Sequence, residues 1–176
     1  MVAVIGIGNP LAGDDGVGIE AVSLLQKALR DERVHCLTSE RGGLDLLDLL
    51  AGYDEVIIVD AAKTGTHPPG TVSTVSFRRP FPTTGSLSLH TIELQALLGF
   101  GSMIGMSMPG QVTVYAVETA DPETFHEGCS HVVQHAVVNV ITLMASQLRS
   151  MLDGLQLASS FLTDYEEQQG LEHTQP

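Results

Sequence analysis

Short apolar runs alternate with amphipathic segments along most of the chain. The runs predict buried strands at residues 2–7, 34–37, 56–59, 72–77 and 112–117. Between them, apolar residues recur every three or four positions and predict helices near residues 17–28, 44–51, 89–97 and 133–148. This alternation indicates an α/β fold, in which a mostly parallel twisted sheet carries helices on both faces in three layers.

The alternation ends well before the chain does. Residues 1–155 are predicted to form one domain, which agrees with a total length of 176 residues. From residue 156 the composition becomes polar and acidic and loses its periodicity, so residues 156–176 are predicted to form a flexible tail.

The first predicted strand leads into a glycine-rich loop that ends in two adjacent carboxylates. Residues 4–18 read Val-Ile-Gly-Ile-Gly-Asn-Pro-Leu-Ala-Gly-Asp-Asp-Gly-Val-Gly. A dinucleotide-binding loop would carry its third glycine where this chain has Leu11. Asp14 and Asp15 would also repel a phosphate held by such a loop. The loop therefore favours a cation near its end.

Two other polar residues stand where this loop can meet them. Asp60 closes the apolar run 56–59, and His90 opens the third predicted helix. Because functional groups of parallel sheets gather at the carboxyl ends of the strands, we expect Asp15, Asp60 and His90 to converge there. An aspartate before a helix is more often its N-cap, so the prediction rests on the three occurring together. Two carboxylates and an imidazole suit a divalent transition metal and leave positions open for water or substrate.

Several other kinds of chemistry are disfavoured by the sequence. A net charge of −13 with only eight Lys and Arg residues argues against nucleic-acid binding. His131 and His135 are spaced as in one zinc-protease motif but lack its glutamate, so we interpret them as ordinary helix residues. Cys36 and Cys129 form no metal or redox spacing and are expected to be buried thiols. Without a signal peptide or a membrane-spanning segment, we expect a cytoplasmic protein that does not bind membranes.

Three blocks in this order resemble the nickel-iron hydrogenase maturation endopeptidases. They are residues 6–18 of the loop, Ile-Ile-Val-Asp-Ala at 57–61 and Ser-Leu-His-Thr-Ile-Glu-Leu at 88–94. The likeness covers roughly residues 1–150. It implies a peptidase that removes a C-terminal extension from the hydrogenase large-subunit precursor after nickel insertion. It also implies that Asp15, Asp60 and His90 recognise the metal and serve catalysis.

Two positions depart from the family pattern. The loop acid is Glu in some members, whereas this chain has adjacent aspartates, so Asp14 is an additional candidate beside Asp15. Many members carry an Asp before the second glycine-rich turn, and here Glu40 is the candidate substitute.

The resemblance leads to a hypothesis about the metal. We expect no permanent cofactor, because the nickel is supplied by the substrate precursor. Either a metal-bound water attacks the peptide bond or a carboxylate acts as the base, and the sequence leaves both open. The protein is expected to be a monomer with no nucleic-acid partner. Three alternatives also stay open. One is an escort protein that binds the precursor without cutting it, and another is a hydrolase similar to peptidyl-tRNA hydrolase, whose Gly-Asn-Pro segment this chain shares. The third is a nucleotide-binding module, which the missing third glycine disfavours.

Overall fold

In a computed structural model of the chain, the described residues include five strands that form one sheet. The structure describes residues 1–80, 89–120, 128–158 and 161–171, but not the side chains of residues 89–92, 161 and 162. The strand order is β2-β1-β3-β5-β4. The strands are β1 (Val2–Ile7), β2 (Val34–Ser39), β3 (Glu55–Ala62), β4 (Val72–Arg78) and β5 (Gln111–Glu118). The helices are α1 (Val17–Ala28), α2 (Leu46–Leu50), α3 (Leu89–Met103), α4 (His131–Met151) and α5 (Phe161–Gln169).

The predicted fold class is confirmed, and the sheet is mostly parallel. β1 pairs in parallel with β2 and β3, and β3 pairs in parallel with β5. Among the described strands, the edge strand β4 alone is antiparallel, and its partner is β5. A parallel return needs a crossover of a dozen or more residues, and β3 and β4 are separated by residues 63–71, which contain no helix.

The sheet separates two apolar cores. On one face, Val4 and Ile57 pack with α1, α4 and α5. On the other face, Ile5 and Ile58 pack with α2 and α3. Successive side chains of a strand point to opposite faces, so a continuous apolar run such as residues 56–59 is buried on both sides.

The expectation of a C-terminal tail without regular structure is wrong for residues 161–169, which form α5. Tyr165 of this helix is buried, and its hydroxyl donates a hydrogen bond to Glu20 Oε1 at 2.7 Å. Leu171 is buried in the same core. Two apolar contacts spaced six residues apart give little periodicity in an otherwise acidic stretch, which explains why the sequence pattern did not indicate a helix. No helix within the described ranges is long and apolar enough to cross a membrane.

Candidate active site

The loop after β1 folds back on the strand through close backbone contacts. Gly8 has a φ of +140°, and a Cβ atom there would lie 1.8 Å from the carbonyl oxygen of Asp15. A Cβ atom at Gly18 would lie 2.3 Å from the carbonyl oxygens of both Ile7 and Val59. Only glycine fits these positions. The loop glycines therefore allow the end of the loop to pack against β1 and β3. This packing explains why glycine is needed at these positions without any role in phosphate binding.

Asp15 is fixed by the loop that carries it. Its Oδ2 accepts a hydrogen bond from the backbone N–H of Asn9 at 2.8 Å. The side-chain oxygen of Asn9 in turn accepts one from the N–H of Leu11 at 3.0 Å. Asp15 Oδ1 accepts no hydrogen bond from any residue that the structure describes, and the side chain is partly exposed. One oxygen thus orients the carboxylate, and the other is available to a ligand.

Asp14 faces a different part of the molecule. It is 5% exposed, and its Oδ1 accepts a hydrogen bond from the backbone N–H of Ser130 at 2.6 Å. The hydroxyl of Ser130 donates to Asp14 Oδ2 at 3.1 Å. Both oxygens are therefore engaged with the residue that precedes α4. This carboxylate ties the loop to α4, which gives Asp14 a structural role.

Asp60 lies at the carboxyl end of β3, as the sequence predicts. The strand continues three residues beyond the apolar run 56–59, so Asp60 is inside the sheet ladder opposite Ala116 of β5. β1 is the other neighbour of β3, and the 3₁₀ turn Gly13–Gly16, which contains Asp15, contacts β3. Asp60 of β3 and Asp15 of the loop that follows β1 thus lie near the carboxyl ends of two adjacent strands.

The third predicted residue lies in the first turn of α3, which begins at Leu89. The side chain of His90 is outside the described residues. Glu93 and Leu94, three and four positions farther along the helix, line a cleft together with Asp60. Among the described side chains, no three His, Cys, Asp or Glu residues are grouped to hold a metal ion. The Asp15, Asp60 and His90 set therefore stays a prediction.

The cleft beside Asp60 has a volume of about 420 Å³. Most of its lining residues are apolar and belong to the sheet and to α3. The glycine pair Gly42 and Gly43, which follows β2, forms part of its wall. Glu40 is exposed and is not among the residues that line the cleft, so its candidate role also stays a prediction.

Glu118 at the end of β5 is a residue that the sequence analysis missed. It is 5% exposed and accepts hydrogen bonds from the N–H groups of Thr64 and Gly65 at 2.8 and 2.7 Å, and from the Thr64 hydroxyl at 2.7 Å. Burial alone would raise the pKa of Glu118, but these bonds and nearby His67 outweigh it and lower the pKa. Glu118 anchors the loop that leaves β3. Its signal in the sequence was the same as that of Asp60, an acid closing an apolar strand.

Neither cysteine is suited to act as a nucleophile. Cys36 is half-buried and Cys129 is buried, and both are free thiols. Burial raises the pKa of Cys36 to about 11. Burial, with nearby Glu20 and Asp14, also raises the pKa of Cys129. Both therefore remain protonated at neutral pH, as expected for structural thiols.

The sequence model of the HycI hydrogenase maturation proteases matches residues 19–147. This chain belongs to the hydrogenase maturation protease family. The matched region includes Asp60 and His90 but begins after Asp15.

Curated relatives agree with this assignment, and a solved structure shares the fold. The chain is 30% identical over 127 residues to the hydrogenase expression/formation protein HupD of Thiocapsa roseopersicina, covering 70% of this chain and 57% of that protein. It is 27% identical over 152 residues to the hydrogenase 2 maturation protease of Escherichia coli, and the match covers 84% of this chain and 90% of that protein. The hydrogenase maturating endopeptidase HybD of E. coli shares the fold, with a TM-score of 0.73 and 24% identity over 89% of this chain and 96% of that one.

Proposed function

We propose that this protein is an endopeptidase that removes the C-terminal extension of a [NiFe]-hydrogenase large-subunit precursor after nickel has been inserted. The observation that carries the proposal is membership of the hydrogenase maturation protease family. Asp15 and Asp60 also lie near the carboxyl ends of adjacent strands, which supports a functional site at this position. In parallel α/β sheets this edge is where ligands bind.

In this proposal the nickel belongs to the substrate. Asp15 would offer Oδ1, the oxygen that the loop leaves unbonded within the described structure. Asp60 and His90 would complete the set, and these three protein ligands would leave coordination positions to the precursor. Recognition of the metal would then hold the scissile peptide bond beside the site, and the protease would act only on precursor that has already received its nickel.

Hydrolysis adds a water oxygen to the scissile carbonyl carbon and breaks the bond from that carbon to nitrogen, and a proton passes to the leaving amine. The nickel can polarise the carbonyl and lower the pKa of the attacking water. A carboxylate of the set can instead accept the proton of the water as a general base.

The test compares nickel-loaded with nickel-free precursor. We expect the purified protein to shorten only the loaded form, with the change read by intact-protein mass spectrometry. Asp60→Asn and His90→Ala should abolish shortening, because each removes a ligand. Asp164→Asn is the matched control, since Asp164 is exposed on α5, a helix that packs on the face of the sheet opposite α3.

Two results would overturn parts of this proposal. Efficient shortening of metal-free precursor would exclude recognition through nickel. Binding of loaded precursor without any product of lower mass would instead favour an escort protein.

A further inference from the structure

The cleft beside Asp60 is larger than metal recognition requires. Its volume is about 420 Å³, whereas one water molecule occupies about 30 Å³ of liquid. Its apolar lining includes Ile7, Ile58 and Val114 of the sheet, together with Leu97 of α3. A hydrated ion would leave most of this apolar surface uncovered, so the shape indicates an additional, apolar occupant.

Two exposed apolar side chains stand at the mouth of the cleft. Leu44, in the 3₁₀ turn Gly43–Asp45, is 68% exposed, and Phe100 of α3 is 41% exposed. Both belong to the lining of the cleft. Exposed apolar groups that continue into an apolar cavity are typical of a binding site.

The charges around the cleft restrict what can enter. Among the described lining residues the charged ones are Asp60 and Glu93, and none is Lys, Arg or His. Arg41 and Lys63 are the sequence neighbours of lining residues, but neither lines the cleft. With a net charge of −13 on the whole chain, an acidic occupant would be repelled.

We infer that the cleft binds an apolar, non-acidic peptide segment of the substrate next to the bond that is cut. This inference rests on the proposed function, because Asp60 belongs to both the candidate site and the cleft. A peptide fits better than a second copy of this chain, since a stable dimer buries about 800 Å² on each partner and the cleft is a local concavity. Leu44 and Phe100 are then specificity-determining residues.

Binding is tested apart from cleavage with three terminally blocked tetrapeptides, Gly-Leu-Leu-Gly, Gly-Ser-Ser-Gly and Gly-Glu-Glu-Gly. The readout is the shift of leucine methyl resonances in the NMR spectrum of the labelled protein. We expect the Leu-Leu peptide to shift the methyl signals of Leu44 and Leu97, and the Ser-Ser and Glu-Glu peptides to shift neither.

Substitutions at the mouth provide the matched comparison. Leu44→Asp and Phe100→Asp should remove binding of the Leu-Leu peptide. Met103→Asp should preserve it, because Met103 is 76% exposed on the same helix and is not among the cleft's lining residues. Equal shifts from the Leu-Leu and Glu-Glu peptides, or binding that survives both mouth substitutions, would overturn the inference. So would a dimer in analytical ultracentrifugation that Phe100→Asp dissociates, because the cleft would then be occupied by a second copy.

Cleavage kinetics distinguish this inference from the proposed function. On nickel-loaded precursor, Phe100→Asp should raise KM about tenfold or more with a smaller change in kcat, while Met103→Asp should match the wild type. An unchanged KM in Phe100→Asp would refute the role of the cleft and leave the protease intact. If the wild type cuts no precursor but binds the Leu-Leu peptide as expected, the proposed function fails and the peptide-binding cleft stands.

Discussion

At the scale of single residues, the adjacent aspartates of the loop differ in what surrounds them. Asp14 is buried, and both of its oxygens accept hydrogen bonds from Ser130. Asp15 is partly exposed and uses one oxygen to bind Asn9. A buried carboxylate is costly unless it is hydrogen-bonded, so Ser130 is what makes Asp14 tolerable. The same residue type therefore serves the fold at one position and is a ligand candidate at the next.

Replacing Asp14 should affect stability first. Asp14→Ala should lower the free energy of unfolding by about 1–3 kcal/mol, because the partly buried N–H of Ser130 loses its charged acceptor. Asp14→Asn keeps one acceptor oxygen and should cost less. Asp48→Ala, at an exposed position on α2, is the control. Urea unfolding measures all three, and an Asp14→Ala variant as stable as the control would refute the structural role.

At the scale of elements, the loop after β3 is held by a partner from the neighbouring strand. Glu118 of β5 accepts three hydrogen bonds from Thr64 and Gly65, just beyond the end of β3. Asp60 lies a few residues before these contacts in the same strand and loop. Glu118 therefore fixes the path of the chain as it leaves the candidate site.

The lowered pKa of Glu118 predicts how this anchor depends on pH. An ionised carboxylate with a lowered folded-state pKa stabilises the protein above the ordinary glutamate pKa of about 4.3, and this contribution is lost as the pH falls through the lower folded value. Glu118→Gln cannot ionise. Its thermal midpoint should be below that of the wild type at pH 7, and the gap should narrow by pH 3. Glu167→Gln, exposed on α5, should show no such trend, and a constant gap for Glu118→Gln would contradict the assignment.

Helix α5 contributes to the core through Tyr165, and its substitutions test that contribution. Tyr165→Phe should lower the free energy of unfolding by about 1 kcal/mol, because the hydrogen bond to Glu20 is lost. Tyr165→Ala should cost about 3–5 kcal/mol, since a buried aromatic ring is removed as well. Asp164→Ala on the exposed side of the same helix is the comparison. If urea unfolding showed Tyr165→Ala to be as stable as Asp164→Ala, α5 would not pack on the domain.

At the scale of the whole molecule, the sequence predicts features that depend on pattern and misses those that depend on distant partners. The apolar run 56–59 identified the central strand, and the topology placed Asp15 and Asp60 at one edge. The sequence did not predict that β4 is antiparallel to β5, because an apolar run has the same pattern in either direction. The bond from Asp14 to Ser130 spans 116 positions, and no local pattern indicates such a contact.

The two cores share one sheet, so we expect the domain to unfold as a single unit. Ile57 and Ile58 are neighbours on β3 but pack on opposite faces. Ile57→Val and Ile58→Val should each lower the free energy of unfolding by about 0.5–1.5 kcal/mol. In native-state hydrogen exchange, each variant should reduce the protection of the slowest amides in both α4 and α3 by the same amount, because a cooperative unit loses stability everywhere. If Ile57→Val affected only α4 and Ile58→Val only α3, the layers would unfold independently. The candidate site, built from loops against β1 and β3 and from the first turn of α3, would then rest on two separable units.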